Sequence, residues 1–520
     1  MTELSTTLLV SRALVNKVET QATVNSAVEL AFDRLQHTPL GAGCPGLSTV
    51  TLNGHTAVAS YLSCAPAVDS RSPQFTRIAS ATPFTVDGTH VVLPSFGRDE
   101  YLVGDVNSTL FAFNFGQSNP SWTYGVEGNL TGPPTAVAGN SSDGPTIFDL
   151  VPVSDPDDNN TYPNCGQRGF CVAVLAEDPT SPPPQLACFM AANARVPDRP
   201  SAGAKNPGVV FFGDASGYVF AYDPNGCQLL AADSGQSGQG ENGQGGNGQG
   251  GLPVVAGPVV LPGNGQGADE IYFVTSDGRS SQLVQYDYRR GALTAFATLD
   301  LPAANAIGMA LERGSYPARL AITFAGGQVA VAQLRSNSGP TLLATSSVPA
   351  GISRAPYWCH CPGGDLIGVA GQNGGLYVLD TGLNLRSSYP GGGPAITTSP
   401  AADSAGDWFF GADDGYLYMA QAGGQGRMAQ AGRFGFLGAR VGSSASVGSC
   451  GSGICIYLAV RNGGAFLVDL DARAALITAC VSTSPPACSG ANPRLWARVE
   501  VGDTGSSQTV HVTGWSYYSP

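Results

Sequence analysis

The sequence predicts an all-β fold, a ring of repeated antiparallel sheets preceded by one long helix, and three observations carry that expectation. Gly and Pro number 70 and 37 among 520 residues. At roughly 1 and 3 kcal/mol per helix-interior position, such breakers leave room for few long helices. Hydrophobic residues make up 42% of the chain and charged residues only 12%, enough apolar material for a large core and too much for a disordered chain. Third, one strand–turn–strand motif recurs along most of the length.

The first element is helical. From Ser5 to Gln36 there is neither Gly nor Pro, and Leu14, Val18, Val24, Val28, Ala31 and Leu35 form one apolar stripe. Lys17, Glu19, Glu29, Asp33 and Arg34 take other faces. This pattern predicts one amphipathic helix of about thirty residues within 1–40, ended by Pro39 and Gly41. A connector follows over 41–77, and 78–520 carries the repeats.

The repeat is an apolar strand, a tight Gly/Asn/Asp turn, and an apolar-aromatic strand ending in Asp. It reads Tyr101 to Asp105 then Leu110 to Asn114, and Val210 to Asp214 then Tyr218 to Asp223. Later copies begin at Ile271, Ala321, Ile367, Trp408 and Ile456. Turn positions Gly278, Gly326, Gly374, Gly415 and Gly463 are spaced by 48, 48, 41 and 48 residues. A period in the forties built of hairpins signals a β-propeller with one four-stranded blade per repeat. An extra hairpin from Cys171 to Met190 brings the expected number of blades to eight, with seven as the alternative. Leu47 to Ser63 or Leu495 to Tyr518 is expected to close the ring. Insertions are expected at 151–170 and at 233–252, the latter holding a Gly/Gln-rich tract that reads as a flexible loop.

Twelve cysteines, mostly in close pairs, read as six disulfides in an oxidising compartment. The pairs are Cys44/Cys64, Cys165/Cys171, Cys359/Cys361, Cys450/Cys455 and Cys480/Cys488, with Cys188 and Cys227 left for a longer span. Cys359-His360-Cys361 alone has a metal-like flavour, and the further ligands of a zinc site are missing. No signal peptide is visible at the start. The expected location is therefore extracellular or at the cell surface, with the export or membrane segment lying before Met1.

Two resemblances follow from these residues. Leu14 to Gln36 resembles the second half of the long N-terminal helix of type IV pilin-like proteins, which implies assembly with other copies or with pilin-like subunits. The repeats resemble the quinoprotein-like (PQQ-type) propeller repeat. Gly213, Asp214, Gly217, Ala221, Asp223 and Gly226 fit it, as do Gly104, Asp105, Ala112, Gly116 and Trp122 with Asn114 in place of Asp. That resemblance covers about residues 78 to 480 and implies the fold, not an activity.

Charge and chemistry exclude several functions. A net charge of −13 with no basic run leaves nothing to release counterions from nucleic acid or to bind anionic membranes. No stretch approaches the roughly 18 apolar residues of a membrane helix. A quinone-dependent dehydrogenase would need calcium ligands, a Trp floor and often an adjacent Cys pair, and no adjacent Cys pair is present. Asp223, Asp287, Asp380 and Asp469 stand where the repeat uses Asp to fix a turn. His37, His55, His90, His360 and His511 show no metal spacing, and no GxSxG elbow marks a nucleophile. The chain is therefore read as a non-enzyme without a resident cofactor.

The best metal candidate is the acidic insertion, where Asp155, Asp157 and Asn159 alternate as in the first half of a calcium loop. Asn160 stands where such a loop has Gly, and Gly166 where it has Glu. Asn107, Asn129, Asn140 and Asn159 head N-x-S/T sequons, candidate glycan sites in an exported protein. The expected function is that of an extracellular structural or adhesion protein, a pilin-like filament subunit or pilus-associated propeller displaying a binding surface whose ligand the sequence does not name. The alternatives are a periplasmic propeller scaffold for protein assembly and, behind it, a quinone-dependent dehydrogenase.

Overall fold

The computed structural model describes helical residues 19, 22–31, 33 and 34 and the strands Ser48–Leu52, His55–Cys64 and Gln74–Arg77. It also describes residues 88–470, with breaks at several turns and at 155–164 and 235–250, and the strands Arg473–Val481, Leu495–Asp503 and Gln508–Tyr517. These residues fall into two compact units. One is in the main 74–469, and the other is formed from both ends of the chain.

The larger unit is an eight-bladed propeller. Its sheets comprise residues 89–125, 129–192, 201–233, 254–300, 306–347, 357–389, 401–436, and 446–470 together with 74–77. They are numbered here as blades 1 to 8, with strands a to d from the axis outwards. The a strands touch their neighbours in succession from blade 1 to blade 8. The hairpin from Cys171 to Met190 forms strands c and d of blade 2. Blade 2 also gains the short strand Asn129–Leu130.

Each blade buries both faces, so its middle strands read as apolar runs where a half-exposed sheet would alternate. Ala268–Ser276 is buried at every position, as are Val210–Gly213 and Trp408–Gly411. The outermost strand Ala292–Asp300, at the splayed rim, alternates exposed and half-buried residues. Most of the tight b–c turns hold glycine in left-handed backbone, with φ of +83° at Gly278 and +80° at Gly374, while that of blade 1 holds Ser108 at +61°.

Polar links join blade to blade. Thr323 Oγ1 donates to Arg354 O (3.1 Å), Arg354 Nε to Thr397 O (2.5 Å) and Thr397 Oγ1 to Val441 O (2.7 Å), crossing from blade 5 to blade 8. Buried Asp214 fixes the b–c turn of blade 3 through Ser216 and Tyr218 N–H. Its other oxygen accepts the N–H groups of Asn193 and Ala194 at the end of blade 2.

The ring closes differently from the expectation. Gln74–Arg77 pairs with Gly464–Leu470 and becomes strand d of blade 8. Blades 8 and 1 then share a cluster that includes Tyr101, Phe113, Tyr457 and Leu467, with the rings of Tyr101 and Tyr457 stacked at 5.1 Å. Leu47 to Ser63 and Leu495 to Tyr518 close nothing. They lie in a separate five-stranded sheet whose order is Ser48–Leu52, His55–Cys64, Arg473–Val481, Leu495–Asp503, Gln508–Tyr517. The propeller therefore ends near residue 470, not at 520, and the expected insertion at 151–170 begins only after strand Gly144–Ser154.

The described helix is short. Residues 22–31 are helical, whereas Leu14, Val18 and Leu35 of the expected stripe lie outside the described residues. Val24, Ala27, Val28 and Ala31 are buried within the chain itself, and so are the consecutive Ala57, Val58 and Ala59, which shows both faces of that strand covered. This part of the stripe, expected to serve assembly, is thus already occupied by the protein's own fold.

Interblade packing generates one prediction. A Cβ at Gly368 would fall 2.0 Å from Cζ3 of fully buried Trp408 on the next blade. Gly368→Ala is expected to lower the denaturant midpoint by an amount equivalent to about 1–3 kcal/mol, and adding Trp408→Leu should recover part of that loss.

Candidate functional site

The chain is poor in charge, so ionised side chains that converge are informative. One such convergence lies at the a–b edge of blades 5 and 6. The turn between strands Ala306–Leu311 and Arg319–Phe324 supplies Glu312 and Arg319, and the hairpin of Tyr357–Cys361 with Gly364–Ala370 supplies Trp358, His360 and Asp365. His360 and Asp365 are direct cross-strand partners.

Arg319 holds the cluster together. Its guanidinium grips both Glu312 oxygens, with Nε to Oε2 at 2.6 Å, and reaches Asp365 Oδ2 at 3.4 Å in the next blade. It also lies 5.6 Å from the Trp358 ring centroid, a cation–π position. Asp365 Oδ1 is 2.5 Å from His360 Nδ1. Side-chain exposure rises along the chain of contacts, from 0% at Glu312 and 25% at Arg319 to 31% at Asp365 and 48% at His360.

The electrostatics follow from this geometry. The Glu312 hydrogen bond and charge hold the guanidinium of Arg319 more firmly protonated than usual, against a smaller opposing effect of burial. Burial alone would raise the Asp365 carboxyl. The His360 hydrogen bond and the charges of His360 and Arg319 outweigh it and bring the carboxyl below its ordinary value. The arrangement ties blade 5 to blade 6 and presents an imidazole backed by a carboxylate to solvent. Among the described residues no group of three or more His, Cys, Asp or Glu is placed to hold a metal ion.

The other sequence-derived candidates are dispersed. Cys165–Cys171, Cys188–Cys227 and Cys359–Cys361 are disulfides. Cys455 is also disulfide-bonded, while the pairings of Cys44 with Cys64 and of Cys480 with Cys488 lie outside the described residues. Cys188–Cys227 staples strand d of blade 2 to a turn of blade 3. Such bonds fit an oxidising compartment. No described helix is long and apolar enough to cross a membrane.

Asp155, Asp157 and Asn159 lie outside the described residues. Asn107 is exposed in the b–c turn of blade 1, where its N–H donates to Asp105, and Asn129 is exposed at a strand start. Asn140 lies in strand Thr135–Ser141 of blade 2. The structure brings none of these into one site. Asp223 and Asp380 do fix turns, accepting from Asn225 and from Gly382 and Asn384.

Glu312 and Arg319 were not apparent from sequence reasoning. The available signal was an isolated Glu-Arg and an Arg opening an apolar strand, in a chain with few charges.

Arg319→Met should leave the buried Glu312 carboxylate without its guanidinium and cost about 3–5 kcal/mol in denaturant unfolding. Adding Glu312→Leu should restore most of it. Asp380, like Asp365, lies below its ordinary value. There burial acts to raise it, and Asn384, Gly382 and Arg386 overcome that effect. Depressed carboxyls stabilise the fold above their unfolded pKa near 4, and that contribution is lost as pH falls through the lower folded value. Stability measured from pH 5 to pH 2 should therefore fall, less steeply in Asp365→Asn and Asp380→Asn than in the parent.

The chain matches no protein-family profile and no curated protein. Among solved structures it is similar to Sqt1 of Saccharomyces cerevisiae, with a TM-score of 0.52 and 14% identity over 76% of this chain and 98% of that one. It is similar also to the Dos1 propeller, with a TM-score of 0.52 and 10% identity over 77% of this chain and 96% of that one. At such identities the likeness is one of fold, and the chain is a β-propeller protein.

Proposed function

We propose that the protein is an extracellular structural or adhesion protein in which a pilin-like α/β module carries a propeller as its displayed domain. The observation that supports this most is the place of the propeller in the chain. Strands His55–Cys64 and Arg473–Val481 are antiparallel neighbours in one sheet, with Cys64 opposite Ala475. The whole propeller stands where a hairpin loop would join them. The resemblance of residues 14–36 is to a long N-terminal helix, and here the helix with its buried apolar face likewise comes first in the chain, ahead of the sheet. A large binding domain grafted into a loop leaves such a module intact, since loops tolerate insertions.

The propeller in this reading works by binding. Its charged chain from Glu312 to His360 offers a polar recognition surface, and the disulfides suit life outside the cell. The test is electron microscopy with immunogold labelling of material sheared from native cells, the chain being confirmed by mass spectrometry. Gold along filaments is the expected result. Recovery of the chain only as single soluble particles would overturn the filament reading in favour of a soluble scaffold.

A further inference from the structure

Cys359–Cys361 differs from the other disulfides in ways that stability does not explain. It spans 2 residues of sequence, against 6 for Cys165–Cys171 and 39 for Cys188–Cys227. Closing so short a loop removes far less chain entropy from the unfolded state than closing a long one. Both cysteines lie in one strand, Tyr357–Cys361, whose next-nearest residues share a face. Two residues of extended strand advance roughly 6.6 Å, whereas the two Cα atoms are 5.2 Å apart. The reduced pair can regain full strand extension.

The reduced form is also provided for. The carbonyl oxygen of Asp403, on blade 7, lies 3.8 Å from Cys359 Sγ. A Cys359 thiol has an acceptor there, as a Cys188 thiol has in Pro224 O at 3.7 Å, so what sets the Cys359–Cys361 pair apart is its two-residue span. Stabilising the reduced form makes a dithiol pair more oxidising. Cys359 and Cys361 are 5% and 7% exposed and border the core cluster that holds Leu376, Tyr389 and Trp408, while half-exposed His360 between them lies on the other face of the strand.

We propose that Cys359–Cys361 is a thiol–disulfide exchange site that reacts with dithiol proteins or glutathione-class thiols. An external thiolate attacks Sγ of Cys361, the residue next to the turn of the hairpin. The Cys359–Cys361 bond breaks, and Cys359 leaves as a thiolate that takes a proton from solvent and donates to Asp403. A second external thiol displaces Cys361 from the mixed disulfide. The net change is one protein disulfide reduced to two thiols and two external thiols oxidised to one disulfide, a transfer of two electrons and two protons. The site does not depend on the filament reading.

The test equilibrates the folded full-length protein in glutathione buffers of graded ratio, alkylates free thiols and locates them by peptide mass spectrometry. Cys359 and Cys361 should be labelled under conditions at least tenfold more oxidising than those that open Cys188–Cys227, a separation of about 30 mV for a two-electron couple. Labelling of both pairs together, or of Cys359 and Cys361 only after denaturant, would overturn the assignment. A second measurement uses Cys359→Ser, whose Cys361 is left as a single thiol. In the folded protein Cys361 should form a mixed disulfide with oxidised glutathione, and a Cys361 that stays unmodified would also refute the site.

Discussion

The structure depends on closure of the ring. A four-stranded blade has two apolar faces and can bury both only between two neighbours, so an open row of eight would leave two faces bare. The pairing of Gln74–Arg77 with Phe466 to Asp469 removes that deficit. Joining residues so distant in sequence costs roughly 5 kcal/mol in loop entropy. The seam offsets this with dense aromatic packing, Tyr101 and Phe113 on Tyr457, whose hydroxyl donates to the Asn114 and Gln117 carbonyls. Closure also sets the topology of the whole chain. Gln74 and Asp469 are register partners, so the chain enters and leaves the propeller at adjacent points. A domain whose ends meet can be inserted into another without spreading the strands of its host.

The repeated middle of each blade was legible because its physics is local. A tight turn between two strands buried on both faces favours glycine at positive φ and an apolar run on either side, and both recur at a fixed period. In two of these turns the left-handed glycines are Gly327 and Gly464, each next to a glycine by which the period was counted. Close cysteine pairs were legible for the same reason. What decided the unit formed from the chain ends was not local. Arg473–Val481 and the two strands after it have the composition of blade strands, and nothing in that composition tells a ninth hairpin from a partner for His55–Cys64. The ring-closing segment Gln74–Arg77 is only four residues long, too short to carry a period.

The charged cluster was hidden for a related reason. Several buried acids here serve the backbone: Asp105, Asp214 and Asp269 accept N–H groups of turns and of neighbouring blades. In such a chain an acidic residue is first a turn-former, and one that faces a guanidinium can be told apart only in three dimensions. Glu312 and Arg319 share a turn, but Asp365 comes from the next blade, and only the stacking of blades brings it within 3.4 Å of Arg319. Propeller geometry thus builds its polar sites from residues about one repeat apart, where no short motif can register them.

The same separation of tasks bears on the helix. Its stripe has one face, and Val24, Ala27, Val28 and Ala31 are already buried by the protein's own chain. Contacts with other subunits in a pilin-like assembly would then have to use other residues, on another face or farther along the helix. The amphipathic stripe is consequently a statement about how the α/β module holds itself together as a host. The chain leaves that module after His55–Cys64 and returns to it at Arg473–Val481, two antiparallel neighbours of one sheet, so the propeller is an insertion that leaves their pairing intact.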